Sequence, residues 1–188
     1  MRGRTFNEHI RLLRAIAFAA EKHRDQRRKD ANASPYINHL IAVASALAEE
    51  GDVTDEDLLL AAVLHDTVED TETTDAELEA HFGKTVAGIV HEVTDDKTLG
   101  KELRKQRQVD HAPHASAQAK QLKIADKICN IRDIMHHPPA GWSLERKREY
   151  LLWTEQVVAG CRGINETLDR AYDETMDAVA KHLRVTVR

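Results

Sequence analysis

The sequence has 188 residues, 41% of them hydrophobic and 31% charged, which is enough for one compact domain spanning residues 1–188 and burying a sizeable core. Aromatic residues make up only 4%, while Ala, Leu, Glu, Asp, Lys and Arg abound, so an all-α fold packed by aliphatic side chains is expected. A formal net charge of −5 argues against a general nucleic-acid binder, which needs an extended basic surface.

Arg2 and Arg4 are followed by no apolar leader, and no stretch approaches the roughly 20 apolar residues of a membrane-spanning helix. A cytoplasmic protein without membrane or nucleic-acid partners is the expectation, and its oligomeric state is left open. Cys129 and Cys161 have the spacing of neither a zinc knuckle nor a redox pair and read as reduced, structural thiols.

From about Asn7 to Arg24, Ile10, Leu13, Ala17 and Ala20 recur at helical spacing and predict a buried stripe. A basic cluster follows, Lys22, His23, Arg24, Arg27, Arg28 and Lys29, running into the loop formers Asp30, Asn32, Ser34 and Pro35. A second helix is predicted from Asn38 or His39, with Ile41, Val43 and Leu47 inward and Gly51 as its C-terminal cap. The third begins near Thr54 or Asp55, runs through Leu58, Leu59, Ala62 and Val63, and ends around Val68.

Thr74 and Glu77 form the pattern of a capping box, opening a short helix that stops at Gly83, and the next helix carries Val86, Ile89, Val90 and Val93. A polar helix around Lys101 to Val109 and a loop with Pro113 lead to Ser116. That serine is positioned to cap a long helix with Leu122, Ile124, Ile128, Ile131 and Met135, which Pro138 and Pro139 end. Two further helices, opening near Ser143 and interrupted around Gly160 to Gly163, complete the bundle, and Arg184 to Arg188 are expected to fray.

His65 and Asp66 stand side by side near the end of an apolar helix, where a polar pair is costly without partners. A divalent metal suits them, although the pair alone is more often a capped helix end than a metal site. His39 at a helix start and Asp126 inside an apolar helix can converge on the pair. That makes a site of two histidines and two aspartates, whose mixed ligands favour Mn²⁺ or a similar six-coordinate ion over structural Zn²⁺.

If the third helix continues one turn, Glu69 follows His65 by four residues and Asp70 follows Asp66 by four, which puts both carboxylates on the metal-facing side as general-base candidates. Arg27, Arg28 and Lys29 are either a solvated surface or a phosphate clamp. Asn130, one turn after Asp126, shares its face and is placed to bond phosphate, sugar or backbone. Trp142 and Tyr150 read as core or rim packing as readily as nucleotide contacts. His9, His81, His91, His111 and His182 read as ordinary, and His136 and His137 as a helix end.

The strings AFAAEKHRDQRRKD, SPYINH, VLHDTVEDT, HFGKTVAGIVHEVTDDK and IADKICNIRDI, in this order from about residue 6 to about residue 160, resemble the small alarmone hydrolases. These are stand-alone relatives of the hydrolase domain of RelA/SpoT proteins and include the metazoan SpoT homologues. The resemblance implies an α-helical HD-domain bundle, a Mn²⁺ ion, and removal of the 3′-pyrophosphate from guanosine tetra- or pentaphosphate, the stringent-response alarmone ppGpp and its relative.

By the same resemblance His39, His65, Asp66 and Asp126 match metal ligands, Glu69 and Asp70 match catalytic carboxylates, and Arg28, Lys29, Asn130, Trp142 and Tyr150 fall where the nucleotide is held. A chain of this length lacks room for a synthetase domain, so degradation without synthesis is expected. Leu40 stands where the family usually has Pro, and Cys129 where Tyr or His is common beside Asn130, which bears on base preference. Alternatives are the same chemistry on an adenosine alarmone (ppApp or pppApp), removal of the 2′-phosphate of NADPH, and a non-catalytic nucleotide-binding regulator.

Overall fold

The computed structural model describes residues 2–186, with side chains from His9 onward. Val187 and Arg188, two of the five residues expected to fray, lie outside the described residues. The chain forms α1 (Arg2–Lys22), α2 (Ile37–Glu49), α3 (Glu56–Leu64), the single turn α4 (Thr67–Asp70), α5 (Asp75–Phe82), α6 (Lys84–Val93), α7 (Lys101–His111), α8 (Ala117–His136), α9 (Leu144–Ala159) and α10 (Glu166–Leu183). A short 3-10 turn at Ala112–His114, holding Pro113, joins α7 to α8. Among the described residues extended pairing is limited to two isolated bridges, Arg27 with Pro35 and Asp30 with Pro139.

Side-chain caps start four of these helices where the sequence marks them. Asp55 accepts from the backbone N–H groups of Asp57 and Leu58, Thr74 from Glu77, Ser116 from Ala119 and Ser143 from Arg146. Half of the expected capping box is used otherwise: the Glu77 carboxylate accepts from Lys22 Nζ at 2.8 Å, tying α5 to α1.

α3 is buried almost all round, through Leu58, Leu60, Ala61, Ala62, Val63 and Leu64, so it is the centre of the core rather than a surface helix. α1, α2, α6 and α8 pack against it, and α8 in turn carries α10 and α9.

One predicted face is rotated and another differs at a single residue. In α1 the core residues are Ala15 and Ala19, with Leu12 and Ile16 beside them, while Leu13 is 66% exposed. The methyl side chains of Ala15 and Ala19 let α1 approach α3, and Arg11 locks that orientation through Glu56 at 2.5 Å and Asp57 at 3.0 Å. In α2 Val43 and Leu47 are buried as predicted, while Leu40, fully buried, takes the place of Ile41, which is turned outward.

Gly51 also serves a different purpose from the one expected. The left-handed residue after α2 is Asp52, at φ 50°. Gly51 is needed for space, because a Cβ there would meet Leu168 Cγ and the Leu47 carbonyl at 2.8 Å. At the far end of the bundle, α10 closes on Arg184 in the left-handed conformation at φ 53°.

The predicted third helix is broken at the residues that matter. His65 caps α3, Asp66 sits at φ −98° and ψ 0°, and the chain resumes as α4 with Asp70 N–H on the Asp66 carbonyl at 2.9 Å. This break lets His65 and Asp66 leave the helix surface and turn toward α2 and α8.

Candidate metal centre and adjoining nucleotide pocket

His39 on α2, His65 at the end of α3 and Asp126 on α8 bring one ligand atom each to within 4.8 Å of one another, and both imidazoles are buried. His39 Nε2 lies 3.2 Å and His65 Nε2 3.9 Å from Asp126 Oδ1. The Asp66 carboxylate stands at the edge of this group, its Oδ2 3.2 Å from His65 Nε2. His65 Nδ1 pairs with the Ala62 carbonyl at 2.8 Å. That bond puts a proton on Nδ1 and turns the Nε2 lone pair toward the carboxylates, the arrangement of a metal-binding histidine.

Both oxygens of Asp126 are held. Asn130 Nδ2 donates to Oδ1 at 2.6 Å and the buried Lys127 Nζ donates to Oδ2 at 3.0 Å. Asp66 Oδ2 accepts from the Tyr36 hydroxyl at 2.6 Å. Burial alone would raise the Asp126 carboxyl and lower the His65 imidazole. The charges of Lys127, His39 and His65 reverse the first, holding Asp126 well below the ordinary carboxylate range, and Asp66 and Asp126 reverse the second, raising His65 to about 9. The cluster therefore favours positive charge at its centre, as a cation-binding site must.

Glu69 and Asp70, predicted to share one face, diverge because α4 is a single turn. Glu69 faces the metal pocket, where its Oε2 accepts from the backbone N–H of Asp95 at 3.1 Å. Burial first, then the negative charges of Asp66, Asp95 and Asp70, raise its pKa to about 7 against that hydrogen bond. Asp70 faces the basic loop, accepting from Gln26 Nε2 at 2.7 Å and pairing with Lys97.

A second cavity, of ≈ 410 Å³, opens on that side. Arg28, Lys29, Asn130, Trp142 and Tyr150 all line it, so the residues expected to hold a nucleotide do converge. Arg28 Nη2 donates to Asn130 Oδ1 at 2.9 Å and to Asp133 Oδ2 at 2.5 Å. Lys29 is pinned by its backbone, whose carbonyl accepts from Ala140 N–H at 2.7 Å. The Trp142 and Tyr150 rings lie 5.6 Å apart, with Arg146 over Trp142 at 4.6 Å. Tyr36 and Asn130 border both cavities and make them one cleft.

Sequence reasoning missed several participants. Tyr36 was read only as part of the string before His39, and His137 as a helix end, yet His137 lines the nucleotide cavity. The buried Lys123 and Lys127 of α8 are absent from the sequence reading; their spacing of four, flanking Asp126, is the available signal. His23 is buried, stacked on Tyr36 with ring centroids 5.2 Å apart and bonded to Gln26, so it supports the cleft from beneath.

Residues 15–152 match the HD domain family. The chain is also 56% identical over 158 residues to the guanosine-3′,5′-bis(diphosphate) 3′-pyrophosphohydrolase MESH1 of Danio rerio, covering 84% of this chain and 88% of that protein. This chain belongs to the HD-domain family, alongside the MESH1 proteins. To the Homo sapiens MESH1 this HD-domain chain is 54% identical over 165 residues, 88% of this chain and 92% of that one. A solved structure of a metazoan ortholog of SpoT that hydrolyzes ppGpp superposes with a TM-score of 0.86 at 44% identity, covering 89% of this chain and 94% of that one. Among the described residues no helix is long and apolar enough to cross a membrane.

Proposed function

We propose that the chain is a metal-dependent guanosine-3′,5′-bis(diphosphate) 3′-pyrophosphohydrolase, with His39, His65, Asp66 and Asp126 as metal ligands and Glu69 and Asp70 as its catalytic carboxylates. The observation that carries this reading is the continuity of a buried imidazole and carboxylate cluster with a basic, aromatic-lined cavity through Tyr36 and Asn130. The relatives named for this activity support it along nearly their whole length.

The donor set fits a divalent cation: two imidazoles and two carboxylates, of which His65, Asp66 and Asp126 are each oriented by a second partner. Mixed nitrogen and oxygen donors favour Mn²⁺. Such an ion supplies Lewis-acid stabilisation of phosphoryl charge and makes water a usable nucleophile near neutral pH.

The remaining work falls to side chains. Glu69, with a pKa of about 7, takes the proton of the attacking water at physiological pH. Asp70, held by Gln26 and Lys97 on the wall of the Arg28 cavity, is the second carboxylate and acts from the substrate side. The water oxygen bonds to the phosphorus next to the ribose, the bond from phosphorus to the 3′ oxygen breaks, and that oxygen recovers a proton. Arg28 and Lys29 neutralise phosphate charge, while Trp142 and Tyr150 face the nucleoside.

The test is incubation with Mn²⁺ and, separately, ppGpp, ppApp and NADPH, with the products resolved by ion-exchange chromatography. Release of pyrophosphate and GDP from ppGpp is expected. No turnover of ppGpp by folded, metal-loaded protein sinks the reading, and faster turnover of ppApp or NADPH reassigns the substrate.

A further inference from the structure

α8 lays out the cleft along one face. Lys123, Asp126, Asn130 and Asp133 follow each other at spacings of three or four, the repeat that keeps side chains on one side of a helix. At 1.5 Å rise per residue, Lys123 and Asn130 are separated by about 10 Å along the axis. Asn130 and Asp133 belong to the Arg28 end. Lys123 lies at the opposite end, where the metal pocket continues into a further cavity that also borders Asp95 and Gln108. The Arg28 cavity and this one have no lining residue in common.

Lys123 is only 8% exposed, and a buried ammonium is costly without a counter-charge. Lys127, one turn on, has Asp126. Lys123 has no such partner: among the described residues no hydrogen bond or ion pair holds its Nζ. Asp95, the carboxylate whose charge acts on it most, is turned to Gln108 Nε2 at 2.7 Å instead. Arg104, on the wall of the same further cavity, has a buried Nε with no partner either. Two cationic side chains thus line one space, Lys123 without a counter-charge and Arg104 with Nη1 3.9 Å from Glu69 Oε1.

We propose that Lys123 binds the distal phosphate of the substrate's 3′-diphosphate and retains it in the pyrophosphate product, with Arg104 as the outer wall of this anion subsite. The proposal rests on the reading of the chain as a 3′-pyrophosphohydrolase. With the nucleoside at the Arg28 end and the phosphorus under attack at the metal donors, the second phosphate of the chain extends toward Lys123. Both phosphates stay joined as the bond to the 3′ oxygen breaks, so the ammonium holds the same group before and after the reaction. It forms no covalent bond. Lys123 is then a specificity-determining residue for a diphosphate over a monophosphate.

The experiment compares wild type and Lys123→Met as full-length, Mn²⁺-loaded proteins, which cancels chelation of Mn²⁺ by pyrophosphate. The inhibition constant for pyrophosphate is expected to rise about tenfold or more in the variant, as for loss of a charge-assisted contact, while that for GDP stays the same. The preference for ppGpp over guanosine 5′-diphosphate 3′-monophosphate, read as a ratio of kcat/KM, is expected to fall by a similar factor, with metal content and thermal midpoint unchanged.

An unchanged pyrophosphate constant, or equal weakening toward both products, overturns the proposal. Lys123→Gln, with the same expectations, replaces the first variant if that one does not fold. Direct titration of the wild type separates this idea from the activity. Pyrophosphate bound no more tightly than orthophosphate refutes the subsite, whereas tight binding that depends on Lys123 without ppGpp turnover refutes the assigned reaction alone.

Discussion

At the metal end of the cleft each candidate ligand lies on a helix or caps one, and a second protein group holds three of the four: Ala62 for His65, Tyr36 for Asp66, Asn130 and Lys127 for Asp126. The nucleotide end is assembled from the loop carrying Arg28 and Lys29, the C-terminal half of α8, and residues that open α9. Its contacts join positions more than a hundred residues apart, as between Arg28 and Asn130. The comparison teaches a division of labour. Ions need fixed donors within a few tenths of an ångström, so that end is rigid and prepaired, while a nucleotide is held by several weaker contacts on segments that can adjust.

The largest expected effect is at the rigid end. Asp126→Ala removes a ligand and strands Lys127 and Asn130, so bound Mn²⁺ should be lost and kcat should fall by about a thousandfold or more, the several kcal/mol that such an ion contributes. Metal analysis beside steady-state kinetics checks this, and retained metal refutes the ligand assignment.

Glu69→Gln should lower kcat by about 10²- to 10⁴-fold with metal retained. In the wild type the base must be ionised, so activity should rise with pH up to about 7, and that acid limb should vanish in the variant. A limb of unchanged position in Glu69→Gln would falsify the assigned role.

Lys127→Met removes the support of one carboxylate oxygen and the ammonium over the Trp153 ring, and about 10- to 100-fold in metal affinity is the expected cost. At the adjustable end Arg28→Ala should raise KM for ppGpp about tenfold or more and leave metal content untouched. Loss of metal in that variant would break the division between the two ends. Trp142→Ala is expected to have the smallest effect, a rise in KM of about severalfold with kcat preserved.

The site was unevenly legible. His65 and Asp66 with Glu69 and Asp70 form a local string, and helical spacing joins Asp126 to Asn130, so these positions stood out before any folding was known. The opposed directions of Glu69 and Asp70 did not, because they depend on the break at Asp66 and on Gln26 and Lys97 competing for one carboxylate. Tyr36, Lys123 and Lys127 did not stand out, for a related reason. A tyrosine or lysine becomes functional only by the company it is buried in, and that company comes from other helices.

What the sequence by itself determined is what arises from neighbours in the chain: the all-α class, the helix starts at Asp55, Thr74, Ser116 and Ser143, and the ligand and carboxylate strings. These follow from capping and from a 3.6-residue period, both short-range. Only the tertiary structure decided which faces of α1 and α2 turn inward, why Gly51 must be glycine, and where the buried lysines of α8 point. Those outcomes depend on steric fit and charge pairing between segments distant in sequence, where Ala15 and Ala19 rather than Leu13 allow helices to meet.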